Sequence, residues 1–411
     1  MRRVRLALPV VAALLALPQG PAAADLIYVL NSGEANVTVI DSTTRTEFRR
    51  IPMLREPHHL LMAPNGRDLI IADSAANEMV IVNPDTAEVI RRERISNPYH
   101  LGYSPDGKYF VINSLRRGQV DIYDAASMAL LARLTTPTQP SHMAFSPDSK
   151  RVFVTLQGTR GLIAIDLDER RPLWTVDVGP QPAGVIWHNN RLLVGVMGGD
   201  YVTVVDPAEA RVERQITTAR GSHTVWPAPD RRTIYATSRV DSAITLLDGE
   251  TLEVKGRWDL PGGPDDISVA PDGKLWVTLR WAARIAIIDP ATGQYETMRV
   301  GRSPHGILVH PTPPPQPIAA ADPAAPPASR PEPPRPEPHT DAAPETGTAP
   351  PGSTTLLAPA LLPPSLLGTA YAAEAPVPPR ATPEAAEPPM VVSEPHLLAP
   401  YNPLSRRLTL R

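Results

Sequence analysis

Ten histidines occur in this chain of 411 residues, and six of them fall in or beside one recurring five-residue string. The strings read EPHHL, NPYHL, QPSHM, QPAGV, RGSHT, GPDDI and SPHGI, spread over residues 56 to 307. Aligned on the leading Pro or Gly, their third positions hold His59, His100, His142, Gly184, His223, Asp266 and Gly306, and their middle positions add His58, Asp265 and His305. The fifth string is ambiguous, because aligning it on its downstream Pro229-Asp230 turn moves His223 to the middle position.

Neutral imidazole is a good ligand for borderline transition metals, so the chemistry this pattern suggests is a copper, zinc or iron site. Three or four imidazoles with an adjacent carboxylate would leave a coordination position for water or substrate. The candidate metal set is His59, His100, His142, His223, His305 and Asp266, with His58 and Asp265 as ligand-contacting neighbours. Two other readings stay open: a hydrogen-bonded structural ring copied by repeat duplication, and direct acid–base chemistry by the histidines.

A second loop set carries Arg116 and Arg117, Arg160, Arg239, and Arg280 with Arg284 and Trp281. Guanidinium groups bind carboxylate or phosphate bidentately, so this set suits a small anionic ligand. Ordinary solvated loop charge, paired with Glu34, Glu78, Asp200 and Asp241, is the competing reading.

The elements that must position these residues repeat about every 40 residues. Turn strings APNGR, SPDGK, SPDSK, APDRR and APDGK, at 63, 104, 146, 228 and 270, each mark a tight reversal between two apolar runs, and the fourth copy, WHNNR at 187, is degenerate. A third run alternates with period two and ends in Asp, as in NVTVID and QVDIYD; a fourth, more polar run reads as an exposed edge strand. Four antiparallel strands per repeat predict an all-β fold, a β-propeller of seven blades. The run LIYVLN (26 to 31) and the run HGILVHP (305 to 311) would share the last blade and close the ring.

The phrases IYVLNSGEANVTVID, WVTLRWAARIAIIDPATG and VGRSPHGILVHP resemble the YVTN family of secreted bacterial β-propellers over residues 26 to 311. The resemblance implies the fold and leaves function open, because propellers host enzymes, cofactor sites and docking surfaces alike. The ring is also similar in architecture to the seven-bladed copper propeller of nitrous oxide reductase, although this chain has fewer ring histidines and none of the cysteines of that enzyme's electron-entry domain. The eight-bladed haem propellers of nitrite reductases are a second, looser resemblance.

Residues 1 to 24 show the arginine-rich start, short apolar stretch and small-residue end of a secretory signal, with cleavage expected near Asp25. A periplasmic or secreted location follows, with no membrane span expected. No cysteine occurs, which predicts no disulfide, no thiolate or Fe-S site and no c-type haem. Residues 312 to 411 turn to Pro, Ala, Glu and Thr, a composition that predicts a disordered tail with a spacer role or an envelope protein as partner. A net charge of −3 gives no reason to expect nucleic acid. The functional expectation is a His-lined channel mouth binding a transition metal or an anionic ligand, with any redox role needing an external electron partner. A non-catalytic envelope scaffold and a metal-dependent lyase or lactonase are the alternatives; no hydrolase, phosphate-loop, HExxH or calcium motif is present.

Overall fold

Alternating apolar residues flanked by turn chemistry build strands, and the computed structural model, which describes residues 24 to 311, arranges them as seven four-stranded antiparallel sheets. Each sheet is one blade, and blades are numbered here by their inner strands. In the first six blades the inner strands are Pro57–Met62, His100–Tyr103, Pro140–Phe145, Pro182–His188, Ser222–Pro227 and Pro264–Val269. The seventh inner strand, Pro304–His310, pairs antiparallel with Leu26–Asn31, so the two ends of the described chain complete one sheet. The leader and the tail lie outside the described residues. Among the described residues no helix is long and apolar enough to cross a membrane.

The core lies between blades. Tyr28 and Leu30 pack toward the first blade with Leu69, Ile71 and Val80, while Ile27 and Val29 pack toward the sixth with Trp276, Ile285 and Ile287. Both faces of a second strand are therefore buried, and LIYVLN is buried at every position. The same geometry corrects the expectation from period-two alternation in the third strands: Thr38, Asp121, Thr203 and Thr245 are buried as fully as their apolar neighbours, because each face of the sheet meets another blade rather than water. Only the outer strands, such as TEFRRIP, are largely exposed.

The turn glycines Gly66, Gly107 and Gly273 take positive φ, as the hairpins require. The degenerate fourth copy solves the same problem with Asn189 and Asn190, at φ 46° and 60°, between the paired His188 and Arg191.

Candidate functional site

A bulge opens nearly every inner strand. Pro140 faces Leu156 and the next regular partner is Met143 opposite Val154; Pro182, Ser222 and Pro264 repeat the step. The extra residue at the bulge is left out of regular pairing, so the middle and third positions of each string both approach the axis. The register resolves the fifth string. Ser222, opposite Ser238, occupies the slot of the leading prolines, so His223 is a middle-position residue and Thr224 holds the third.

In the third, fifth and sixth blades a threonine on the neighbouring strand fixes the bulge. Thr155 Oγ1 accepts from the His142 amide at 3.0 Å and donates to the Ala183 carbonyl of the next blade at 2.8 Å. Thr237 does the same for Thr224 and Asp265, and Thr278 for Asp266 and His305. Buried hydroxyls thus tie the third blade to the fourth, the fifth to the sixth and the sixth to the seventh.

The imidazoles meet on the axis. From His59 the ring centroids of His58, His100, His142 and His305 lie at 4.7, 4.4, 5.0 and 5.1 Å. His223 lies 5.3 Å from His142 and 5.8 Å from His305. His58, His59 and His305 each offer a nitrogen within 4.8 Å of the others.

Hydrogen-bond partners assign the tautomers. His59 Nδ1 donates to the Tyr99 carbonyl at 2.6 Å, so its Nε2 keeps the lone pair; His58 Nδ1, 2.8 Å from that same nitrogen, must then be unprotonated. The Ser141 hydroxyl donates to Gln157 Oε1 and so accepts from His142 Nδ1 at 2.8 Å, which leaves His142 Nε2 as a lone pair. His305 Nδ1 donates to Asp265 Oδ2 at 2.7 Å. His305 Nε2 and His100 Nδ1 are buried with no hydrogen-bond partner. His223 differs: its Nδ1 sits 2.9 Å from Asp265 Oδ1 and its Nε2 accepts from Arg239 at 2.9 Å, so both nitrogens are engaged.

Burial keeps these rings neutral. It lowers the His100 pKa to about 4 and that of His305 to about 3, and it holds His58, His59 and His142 well below the usual imidazole range. His223 is lowered by burial and then by the Arg239 charge. Asp265 is wholly buried; burial alone would raise its carboxyl, but Arg239, His223 and His305 outweigh it and hold the group well below the usual carboxylate range. Asp266 is pushed up to about 7 by burial and then by the Asp265 charge, so it is largely protonated in weak acid.

The arginines divide. Arg239 and Arg280 both donate to Asp265 and cover the cluster on the side where the inner strands begin. Arg116 pairs with Glu56, Arg160 with Asp177, and Arg284 donates to Thr297, so none of the three joins the ring's hydrogen bonds. Arg117 is exposed on a single 3-10 turn, and Trp281 is 60% exposed, its indole packed on the Gly263 backbone. Position explains the division. Arg239 and Arg280 each directly follow a second strand, Thr233–Ser238 and Leu275–Leu279, and that first loop position is the one that faces the axis. Gln157 holds it in the third blade and reaches Ser141; Met197 holds it in the fourth and meets Arg239. Tyr99, Ser141, Gln157 and Met197 were not singled out by sequence; their signal was alignment with slots that carry histidine or arginine elsewhere.

Asp265, taken from sequence as a ligand contact, is spent on two guanidinium and two imidazole groups. His223, taken as a metal ligand, has no free nitrogen. Gly184 is demanded by packing, since a Cβ there would lie 2.6 Å from the His223 carbonyl oxygen. The fourth blade thus brings no imidazole to the ring, and a cavity of about 390 Å³ joins His59, His100, His142 and His305 to Ile186 and Trp226.

The chain belongs to the YNCE-like beta-propeller family, which matches residues 6–314. No curated protein matches. Among solved structures, the dihydro-heme d1 dehydrogenase NirN in complex with DHE is similar at 16% identity over 72% of this chain and 77% of that one, with a TM-score of 0.55. A functionally unknown protein from Desulfotomaculum acetoxidans aligns at 11% identity over 70% of this chain and all of that one, with a TM-score of 0.61. Kuenenia stuttgartiensis hydrazine synthase aligns at 15% identity over 70% and 99% of the two chains, with a TM-score of 0.53. These likenesses show the fold. They also correct the expectation of no c-type haem: proteins of this fold include a haem d1 dehydrogenase, and a count of cysteines does not remove haem from the chemistry of such a propeller.

Proposed function

We propose that this protein is an exported propeller that holds a transition metal on its axis through imidazole nitrogens. His58, His59 and His305 form the converging set, and His100 and His142 stand within reach. The observation that carries this reading is His305, whose Nδ1 donates to a buried carboxylate while its Nε2 is buried without a partner. A carboxylate that accepts from one ring nitrogen in this way orients a metal-ligating histidine and leaves the other nitrogen's lone pair for the ion. The neutral state of every ring supports it, since only unprotonated imidazole ligates.

Arg239 and Arg280 against the single charge of Asp265 leave one positive charge in excess beside the rings, which favours an anionic co-ligand on the metal. The metal would arrive as a bare ion held by several of these nitrogens, or inside a haem-type macrocycle that could use at most two of them.

Elemental analysis and an absorption spectrum of tag-free protein test the reading. Stoichiometric metal, lost in His59→Ala and His305→Ala but kept in Arg160→Gln, is the expected result; a Soret band identifies the macrocycle. Protein that neither carries nor takes up any transition metal overturns it.

A further inference from the structure

The way into this centre is on the far side of the disc from its arginines. On the near side Asp265 is 0% exposed and His305 and His223 are each 2% exposed beneath Arg239 and Arg280. The 390 Å³ cavity leads the other way, along the inner strands toward the hairpin turns, and ends at Trp226. A second cavity of about 630 Å³ continues it, sharing Met143, Val185, Ile186, Trp226 and Ser268 and opening past Phe145, Trp187 and Arg231. Trp226, a residue that core packing would hide, is 38% exposed there.

Three features of this passage specify its occupant. Its outer part is walled by Met143, Phe145, Val185, Ile186, Trp187 and Trp226, while the histidines and Asp266 line its inner end, and an apolar cleft of this volume leading to a few polar groups is the usual form of a small-molecule site. Its rim is aromatic on two adjacent blades, with the Trp187 ring already stacked on Phe153 at 5.8 Å, so the Trp226 indole is the face left for a flat ring. Its mouth carries Arg231, exposed in a left-handed turn position and 3.3 Å from His188 Nδ1. An aromatic wall beneath an exposed guanidinium matches a planar aromatic anion.

We propose that this passage is a binding site for a small planar aromatic carboxylate or sulfonate, admitted from the hairpin face, with its ring against Trp226, its acidic group at Arg231 and its inner edge toward the histidines. The short side chains of Ala144 and Ser268, on either side of Ile186 and Trp226, make the room. The site stands on the cavity alone and does not require the metal.

Titration of metal-free, full-length protein with 1-anilinonaphthalene-8-sulfonate tests it, read as energy transfer from tryptophan to the probe. One probe molecule per chain is expected. Trp226→Leu, at a half-exposed position, and Ile186→Trp, which fills the passage, should each weaken binding at least about tenfold, a loss near 1.4 kcal/mol. Arg231→Glu should weaken it several-fold, and Arg160→Gln should leave it unchanged. If Ile186→Trp does not fold, Trp226→Leu and Arg231→Glu carry the decision. Binding that none of the three lowers, or that Arg160→Gln lowers as much as Arg231→Glu, overturns the proposal. Because the titration uses metal-free protein, either reading can fail while the other stands.

Discussion

Asp265 accepts from Arg239, Arg280 and His305, and sits against His223, so four side chains from three blades depend on one carboxylate. Removing one partner of a buried charged set leaves the others uncompensated, typically at a cost of about 3–5 kcal/mol. Asp265→Asn keeps the shape and removes the charge. Its unfolding free energy, read by denaturant titration, should therefore fall by that order, and its metal affinity by about 10–100-fold, the usual loss when a carboxylate behind a ligating histidine is changed. Equal metal affinity in the variant would mean that His305 is not a ligand.

The same residues fix the response to acid. His58, His59, His100, His142, His223 and His305 all have folded pKa values below 6.5, two of them at about 4 and about 3. Below pH 6.5 the unfolded chain binds protons that the folded chain refuses, so stability falls as pH drops, by at most about 1.4 kcal/mol per unit for each imidazole that stays neutral in the fold. Arg239 and Arg280 face the same space and reinforce the refusal. Asp266 works in the opposite direction, since its folded carboxyl holds a proton up to about pH 7 and its contribution is lost as pH rises. Six imidazoles outweigh one carboxyl, and the metal-free protein should lose stability steeply between pH 6.5 and 4. Urea midpoints at pH 8, 6.5 and 5 check this; a flat series would show that the rings are hydrated or paired as cations.

At the scale of the strand, the bulge and its threonine set the site. In Thr155→Val the His142 amide and the Ala183 carbonyl both lose their buried partner, at about 1–3 kcal/mol for each unsatisfied group. The expected result is a lower unfolding midpoint together with weaker metal binding, because His142 follows directly from that amide. Thr245→Val, at a buried third-strand position away from the bulge, serves as the comparison and should leave metal binding alone. These threonines were invisible as site residues in VFVTL and WVTLR, where they read as ordinary strand formers. The hairpins were legible because their chemistry is local: Pro-Asp-Gly dictates a turn whatever surrounds it. The histidine slots were legible for a related reason, since repetition at a fixed offset from a turn survives translation into space. The arginines were not, because one residue along a loop separates Arg280, which reaches Asp265, from Trp281, which faces solvent, and only the end of the second strand tells the two apart. The slot of His223 required the pairing of Ser222 with Ser238, a nonlocal fact that its divergent string conceals.

At the scale of the molecule, the ring depends on one strand pairing between distant parts of the sequence: Leu26 faces His310, Tyr28 faces Leu308 and Asn31 faces Pro304. This strand completes a four-stranded sheet whose two faces are packed on the first and sixth blades, and Ile307 and Val309 contribute to the core against Trp276. It also carries His305 to the axis. Ring closure and assembly of the centre are thus one event, and the chain needs residues up to His310 for both. Two truncations separate the propeller from the proline-rich segment at its C-terminus. A chain ending at Pro311 should unfold at the same temperature as the full-length protein and retain its metal, because the described sheets are complete at that point. A chain ending at Ser303 should lose cooperative unfolding altogether, since it exposes the Leu26–Asn31 edge and opens two interblade cores at once. His305→Ala in the full-length chain isolates the imidazole from the strand: it should keep cooperative unfolding while losing metal. If the chain ending at Pro311 melted lower than the full-length protein, residues 312 to 411 would be part of the folded unit, and the boundary at the last strand would be wrong.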